Sequence, residues 1–99
     1  MENEQFELIR QWAYDRGLYT SGKANMQFVK LMEEVGELAR ALQGKDGEDA
    51  LIDAIGDCVV VLTNLAYLNG MNIEDCIAHA YNQIKDRTGK MQGGTFVKD

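Results

Sequence analysis

The sequence predicts an all-α fold, and three observations predict it. There is no proline anywhere in the 99 residues, so no residue breaks a helix from within. Apolar residues recur at three- and four-residue spacing over long stretches, the period of one helical face. The glycines fall mainly where those stretches end or join, as helix stops and connections require.

The first predicted helix runs from about Glu4 to Arg16, with Phe6, Ile9 and Ala13 inward, Trp12 beside them and Gly17 as its stop. The second starts between Ser21 and Ala24 and ends before Gly44. Its apolar face, from Phe28 through Leu31, Met32, Val35, Leu38 and Ala39 to Leu42, is the clearest periodicity in the chain. The third runs from about Glu48 to Leu68, with Leu51, Ile55, Val59, Leu62 and Leu65 in step and Asn69-Gly70 as a left-handed terminator. Val59-Val60-Val61 favours a strand taken alone, but the surrounding helical period outweighs three residues of propensity. The fourth opens at Asn72, a good N-cap residue with Asp75 three positions on, and ends near Arg87. Residues 88–99, TGKMQGGTFVKD, read as an irregular Gly-rich tail. Short connections make neighbouring helices antiparallel. The architecture expected is one domain over 1–99, a four-helix-bundle-like pair of helical hairpins. A chain this short hides a modest fraction of its surface, so oligomerisation is expected to complete the bundle.

Composition narrows the function classes. The chain is 45% hydrophobic and 26% charged with a net charge of −6. That balance argues against nucleic acid and anionic membrane as partners, because both demand basic patches. A polyanionic small ligand would need a metal ion as mediator. Cys58 and Cys76 lie in apolar helical surroundings without CxxC or zinc spacing, so buried reduced thiols and a cytoplasmic setting are expected. MENEQFELIR lacks the basic and apolar regions of a signal peptide, and the longest apolar run, Cys58 to Leu62, is too short to span a bilayer.

The chemistry concentrates in two short segments, EEVGE (Glu33 to Glu37) and DAIGD (Asp53 to Asp57). On a helix, residues three and four apart share a face. Glu33 and Glu34 therefore lie near Glu37, and Asp53 lies near Asp57. Such like-charge neighbours cost a few tenths of a kcal/mol each, and an interior glycine about 0.5–1 more. A solvated acidic face would interleave lysines, yet there is no basic residue from Leu31 to Ala39 or from Glu48 to Leu68. Both clusters also abut the apolar stripe. If the second and third helices pack antiparallel, Gly36 and Gly56 would let the backbones approach and set the clusters opposite one another. Hard oxygen ligands without histidine or thiolate select Mg²⁺ or Mn²⁺. A di-iron carboxylate bundle needs Glu-x-x-His pairs, and the only histidine, His79, does not form one.

EEVGELARAL followed by DAIGDCVVVLTNLA resembles the MazG-like nucleotide pyrophosphohydrolases, marked by EExxE on one helix and ExxD on the next; the likeness extends over roughly Gln27 to Arg87. The resemblance implies a Mg²⁺-dependent hydrolase that cleaves nucleoside triphosphates between the α and β phosphates, giving monophosphate and pyrophosphate. It assigns Glu34, Glu37 and Asp57 as metal ligands and Glu33 as the leading acid, with Glu33 or Glu34 orienting or deprotonating the attacking water. It makes Asn64, Asn82 and Lys85 substrate-binding residues, with Arg87 beside them at the phosphates. The glutamate of ExxD falls on Ala54, and the neighbouring Asp53, which faces Asp57 at i, i+4, is the candidate fourth ligand. Trp12, Phe28, Tyr67 and Tyr81 are available to flank a base. The partners implied are a nucleoside triphosphate and further copies of the chain, as a homodimer or homotetramer. The competing expectation is a non-catalytic helical dimer that binds nucleotide or a protein partner.

Overall fold

A computed structural model describes residues 4–99; residues 1–3 of the expected single domain lie outside the described residues. Among the described residues the elements are α1 (Glu4–Asp15), α2 (Leu18–Ser21), α3 (Ala24–Ala41), α4 (Glu48–Leu68), α5 (Ile73–Ile84), β1 (Gly89–Gln92) and β2 (Thr95–Lys98). The chain is predominantly α-helical, as its periodicity requires. Gly70, at φ 78, ends α4 in the left-handed region that suits glycine. Asn72 sits at the N-cap of α5 as expected, but its side chain makes no capping bond; its carbonyl instead accepts from the backbone N–H groups of Asp75 and Cys76.

Two elements differ from expectation. The first is α2, a single turn inside what reads as a loop. The Gly22 N–H donates to the Leu18 carbonyl at 2.8 Å, and a Cβ on Gly22 would lie 2.1 Å from that same oxygen. Only glycine lets the chain fold back this closely. Gly22→Ala is therefore expected to cost roughly 1–3 kcal/mol through overpacking, read as a fall in midpoint during urea unfolding.

The second is a correction at the C-terminus. Residues 88–99 are not irregular: β1 and β2 pair antiparallel, with Gly89 opposite Lys98 and Gln92 opposite Thr95. The two residues between the strands are Gly93 and Gly94, at φ 60 and 84. A two-residue Gly-Gly loop matches the twist of a type I′ hairpin. The glycines mark a tight turn, where a count of glycines alone suggests slack chain. Thr88 Oγ1 donates to Asp99 Oδ2 at 2.8 Å and closes the open end.

The centre of the molecule is the antiparallel pair of α3 and α4. The covered residues of α3 are Ala24, Gln27, Leu31, Glu34, Leu38 and Ala41, a stripe at three- and four-residue spacing. The expected apolar face is thus split. Leu31 and Leu38 pack inward, whereas Phe28, Met32, Val35 and Leu42 stay 44–67% exposed. On α4, Ile52, Ile55, Val59 and Leu62 are left open in the same way. The expectation that Gly36 and Gly56 allow close approach of the two helices does not hold within the chain: a Cβ at either meets nothing within 4 Å.

Among the described residues the buried apolar side chains are small, namely Ala13, Ala41, Ala54, Val61 and Ala66. The radius of gyration, 15.9 Å, exceeds the ~13 Å of a compact chain of this length. By length and composition alone α4, with a peak mean hydropathy of 1.7, is apolar enough to cross a membrane. It nevertheless carries Asp53 and Asp57 and packs against α1, α3 and α5, as the central helix of a bundle does.

Arg10 ties the ends together. It is buried to 8% exposure, and its Nη1 and Nη2 donate to the two carboxylate oxygens of Glu74 at 2.7 and 2.5 Å. Nε donates to Glu7 Oε1 at 2.6 Å. This bidentate clamp fixes α1 to the first turn of α5, near the favourable end of that helix dipole for Glu74.

Candidate active site

Glu34 is the first site residue to build. The α3 stripe turns its side chain toward α4, and it is buried to 6% exposure. Lys30, one turn earlier, places its Nζ 3.3 Å from Glu34 Oε2 and 3.8 Å from Glu33 Oε1. The hydrogen bond and charge of Glu34 push the Lys30 ammonium above its ordinary pKa. Glu34 Oε1 is buried and has no hydrogen-bond partner among the described residues. An unpaired carboxylate oxygen away from water is costly, a cost that a cation or a hydrogen-bond donor would relieve.

Two grooves flank this acid along the α3–α4 seam. One, of about 500 Å³, is lined by Trp12, Lys30, Glu33, Glu34, Asp57 and Asn64 among others. The other, of about 280 Å³, is lined by Glu37, Arg40, Asp46, Asp53, Ala54 and Asp57. Asp57 belongs to both and bridges them. Glu33, Glu37, Asp53 and Asp57 are exposed, while Ala54 is buried against α3 at 5%. Asp53 thus shares its groove with Glu37 and Asp57 even though the glutamate position beside it is filled by alanine.

Among the described residues no three metal-binding side chains come close enough to hold a single ion; the acids line the seam without converging on one point. In donor chemistry they fit Mg²⁺ or Mn²⁺, since every candidate is a hard oxygen. Glu34 Oε1, without a partner among the described residues, has lone pairs that such an ion could take.

Asn64 is 2% exposed and lies at the back of the larger groove. The Tyr19 hydroxyl donates to Asn64 Oδ1 at 2.5 Å, and the Tyr19 ring rests on Tyr67 at 4.3 Å between centroids. Burial raises the Tyr19 pKa, so the phenol keeps its proton at neutral pH. Trp12 lines the mouth of the groove, with the Arg16 guanidinium 4.4 Å over its ring. Of the other aromatics considered for a base, Phe28 and Tyr81 are exposed and Tyr67 is occupied by Tyr19.

The remaining expected phosphate contacts are elsewhere. Asn82, Lys85 and Arg87 are exposed at the end of α5 and beyond it, and they line neither groove. Sequence reasoning passed over Lys30 and Tyr19. Lys30 stands just outside the base-free interval that begins at Leu31, yet i, i+4 reach carries its ammonium onto Glu34. For Tyr19 the sequence holds no signal, because its role depends on the unexpected turn of α2.

Comparison with known proteins identifies the family. The MazG nucleotide pyrophosphohydrolase domain matches residues 23–91, a segment holding both acid clusters and Asn64. The chain belongs to the MazG nucleotide pyrophosphohydrolase family, in which activity generally depends on a divalent metal. It is 48% identical over 61 residues to an uncharacterized 18.2 kDa protein from the rep-hol intergenic region of Haemophilus phage HP1 (strain HP1c1). That match takes in 62% of this chain and 37% of the phage protein, so the chain spans well under half of its relative. No solved structure matches.

Proposed function

We propose that the protein hydrolyses ribo- or deoxynucleoside triphosphates between the α and β phosphates, with Mg²⁺ or Mn²⁺, to monophosphate and pyrophosphate. The observation that carries this reading is Glu34, a buried carboxylate with one unpaired oxygen in a groove shared with Glu33, Asp57 and Asn64. Glu34, Glu37, Asp53 and Asp57 are the candidate ligands; they line two adjoining grooves, so their side chains would have to draw together around a cation, which would neutralise the triphosphate and acidify a bound water. Glu33, exposed at the groove edge, orients or deprotonates the attacking water. Asn64 donates to the substrate, and Trp12 offers an apolar wall to the base or sugar. The test is a panel of triphosphates incubated with Mg²⁺, with monophosphate and pyrophosphate separated from diphosphate and phosphate. Asp53→Asn is expected to lower turnover at least about tenfold by weakening the metal site; full activity in that variant would remove Asp53 from it.

Asn82, Lys85 and Arg87 lie outside the groove of a single chain, and large apolar side chains on α3 and α4 are uncovered. Both facts support a homodimer or homotetramer, since exposed patches of this kind mark association surfaces. Val35→Asp with Ile55→Asp is expected to yield monomer by sedimentation. A monomeric parent would remove the oligomer from the account. A cytoplasmic setting is part of the same proposal, in keeping with the two free cysteines.

A further inference from the structure

The hydrogen bond between Tyr19 and Asn64 does something that packing alone does not. Asn64 is one of the most deeply buried polar residues described, at 2% exposure. Its amide has two chemically opposite ends, an acceptor oxygen and a donor nitrogen, and either could face the groove. Tyr19 approaches from the other side, where its ring borders a separate cleft with Arg10, Tyr14 and Tyr67. Because its hydroxyl donates to Oδ1 at 2.5 Å, the oxygen is taken. Nδ2 has no acceptor among the described residues, and it is absent from the buried polar atoms that lack a partner, so it reaches the groove surface.

We propose that Tyr19 is a positioning residue, which locks the Asn64 amide with its NH₂ group toward the groove and so makes the site a donor for an anionic phosphate oxygen. The inference rests on the nucleotide reading of the groove. The phenol can also accept a hydrogen bond, but a phosphate oxygen in the groove selects the amide orientation that donates to it, and in that orientation the Tyr19 hydroxyl satisfies Oδ1; without the phenol that buried oxygen is left unpaired when phosphate binds. The Tyr67 ring beneath Tyr19 holds the phenol in place, and α2 carries it there through the Gly22 turn.

Tyr19→Phe keeps the ring and its contact with Tyr67 but deletes the lock. The experiment measures binding of the α,β-methylene analogues of the four deoxynucleoside triphosphates, which cannot be cleaved at that bond, in Mg²⁺. Binding is compared for the parent, Tyr19→Phe, Asn64→Ala and the double variant, with thermal unfolding of each and turnover of the natural triphosphates by the parent. Tyr19→Phe is expected to weaken binding about five- to tenfold, the range of one lost hydrogen bond. In the Asn64→Ala background the same change is expected to have no further effect on binding, because the group it orients is gone. In steady state Tyr19→Phe is expected to raise KM with kcat nearly unchanged, as loss of uniform binding does. Equal weakening by Tyr19→Phe in both backgrounds, or no weakening in the parent, overturns the inference. Binding with an intact coupling but no pyrophosphate release would overturn the hydrolase reading and leave the positioning role standing. A folded parent that binds none of the analogues would overturn both.

Discussion

Glu34→Gln is expected to abolish triphosphate hydrolysis while leaving the fold as stable as the parent or more so. The two effects come from one feature. Glu34 is 6% exposed, and among the described residues it pairs with Lys30 at 3.3 Å and leaves Oε1 without a partner. In the folded protein that arrangement carries a desolvation cost that one half-exposed lysine offsets only in part. An amide of the same shape removes the buried charge, and Lys30, 51% exposed, is solvated without its partner. Stability should therefore stay within about 1 kcal/mol of the parent or rise above it. Turnover should fall on the order of 10²-fold or more, since a lost metal ligand removes several kcal/mol of transition-state stabilisation. A further check is thermal unfolding with millimolar Mg²⁺. The parent gains stability by mass action, and the variant gains less. A variant that is badly destabilised would make Glu34 a structural residue, and one that is fully active would remove it from the site.

Glu74→Gln is expected to destabilise the fold and to change how its stability depends on pH. It leaves the Arg10 guanidinium, with its side chain 10% exposed, dependent on Glu7, whose own side chain is 75% exposed. Loss of charge-assisted bonds of this kind costs about 2 kcal/mol, a fall of roughly 10 °C in Tm for a domain of this size. The pair also sets a pH dependence. Its hydrogen bonds to Arg10 hold the Glu74 carboxyl below the ordinary glutamate value of 4.5. On acidification the unfolded chain therefore takes up this proton first. The stabilisation is complete above about pH 4.5 and is lost as the pH falls from there through the lower pKa of the folded state. In Glu74→Gln this acid-side decline should be shallower, which urea unfolding at pH 3 to 7 would show. An unchanged slope would mean that the clamp does not govern acid stability.

How far the sequence carried this account differs by element. The third predicted helix, Glu48 to Leu68, coincides with α4, because a long apolar period bounded by Gly47 and Asn69-Gly70 leaves little freedom. The two acid clusters were legible for the same reason, since helical spacing places their members on neighbouring turns, whereas Asn64 was singled out only by the resemblance to the MazG-like family. What was not legible depends on contacts between turns. Periodicity showed that α3 is apolar over a broad arc; it did not show that the stripe through Leu31, Glu34 and Leu38 takes α4 while Phe28, Met32 and Val35 stay open. Gly36 and Gly56 suggested close packing, yet they face open space. Within the chain an added methyl there costs nothing, so Gly56→Ala should stabilise by about 0.5–1 kcal/mol through helix propensity. A loss of stability instead would place a second chain against that face. The Gly93-Gly94 turn carried a hairpin signal in its two-residue loop. The displacement of Lys85 and Arg87 from the groove had none, because it depends on how α5 packs.

The most direct measurement of the central claim is triphosphate hydrolysis in ¹⁸O-labelled water with Mg²⁺, run beside Asp57→Asn, with the label located by mass spectrometry. The account predicts one ¹⁸O in the nucleoside monophosphate, none in pyrophosphate, and no product from the variant. Label in inorganic phosphate with release of diphosphate, or undiminished turnover by Asp57→Asn, would contradict it.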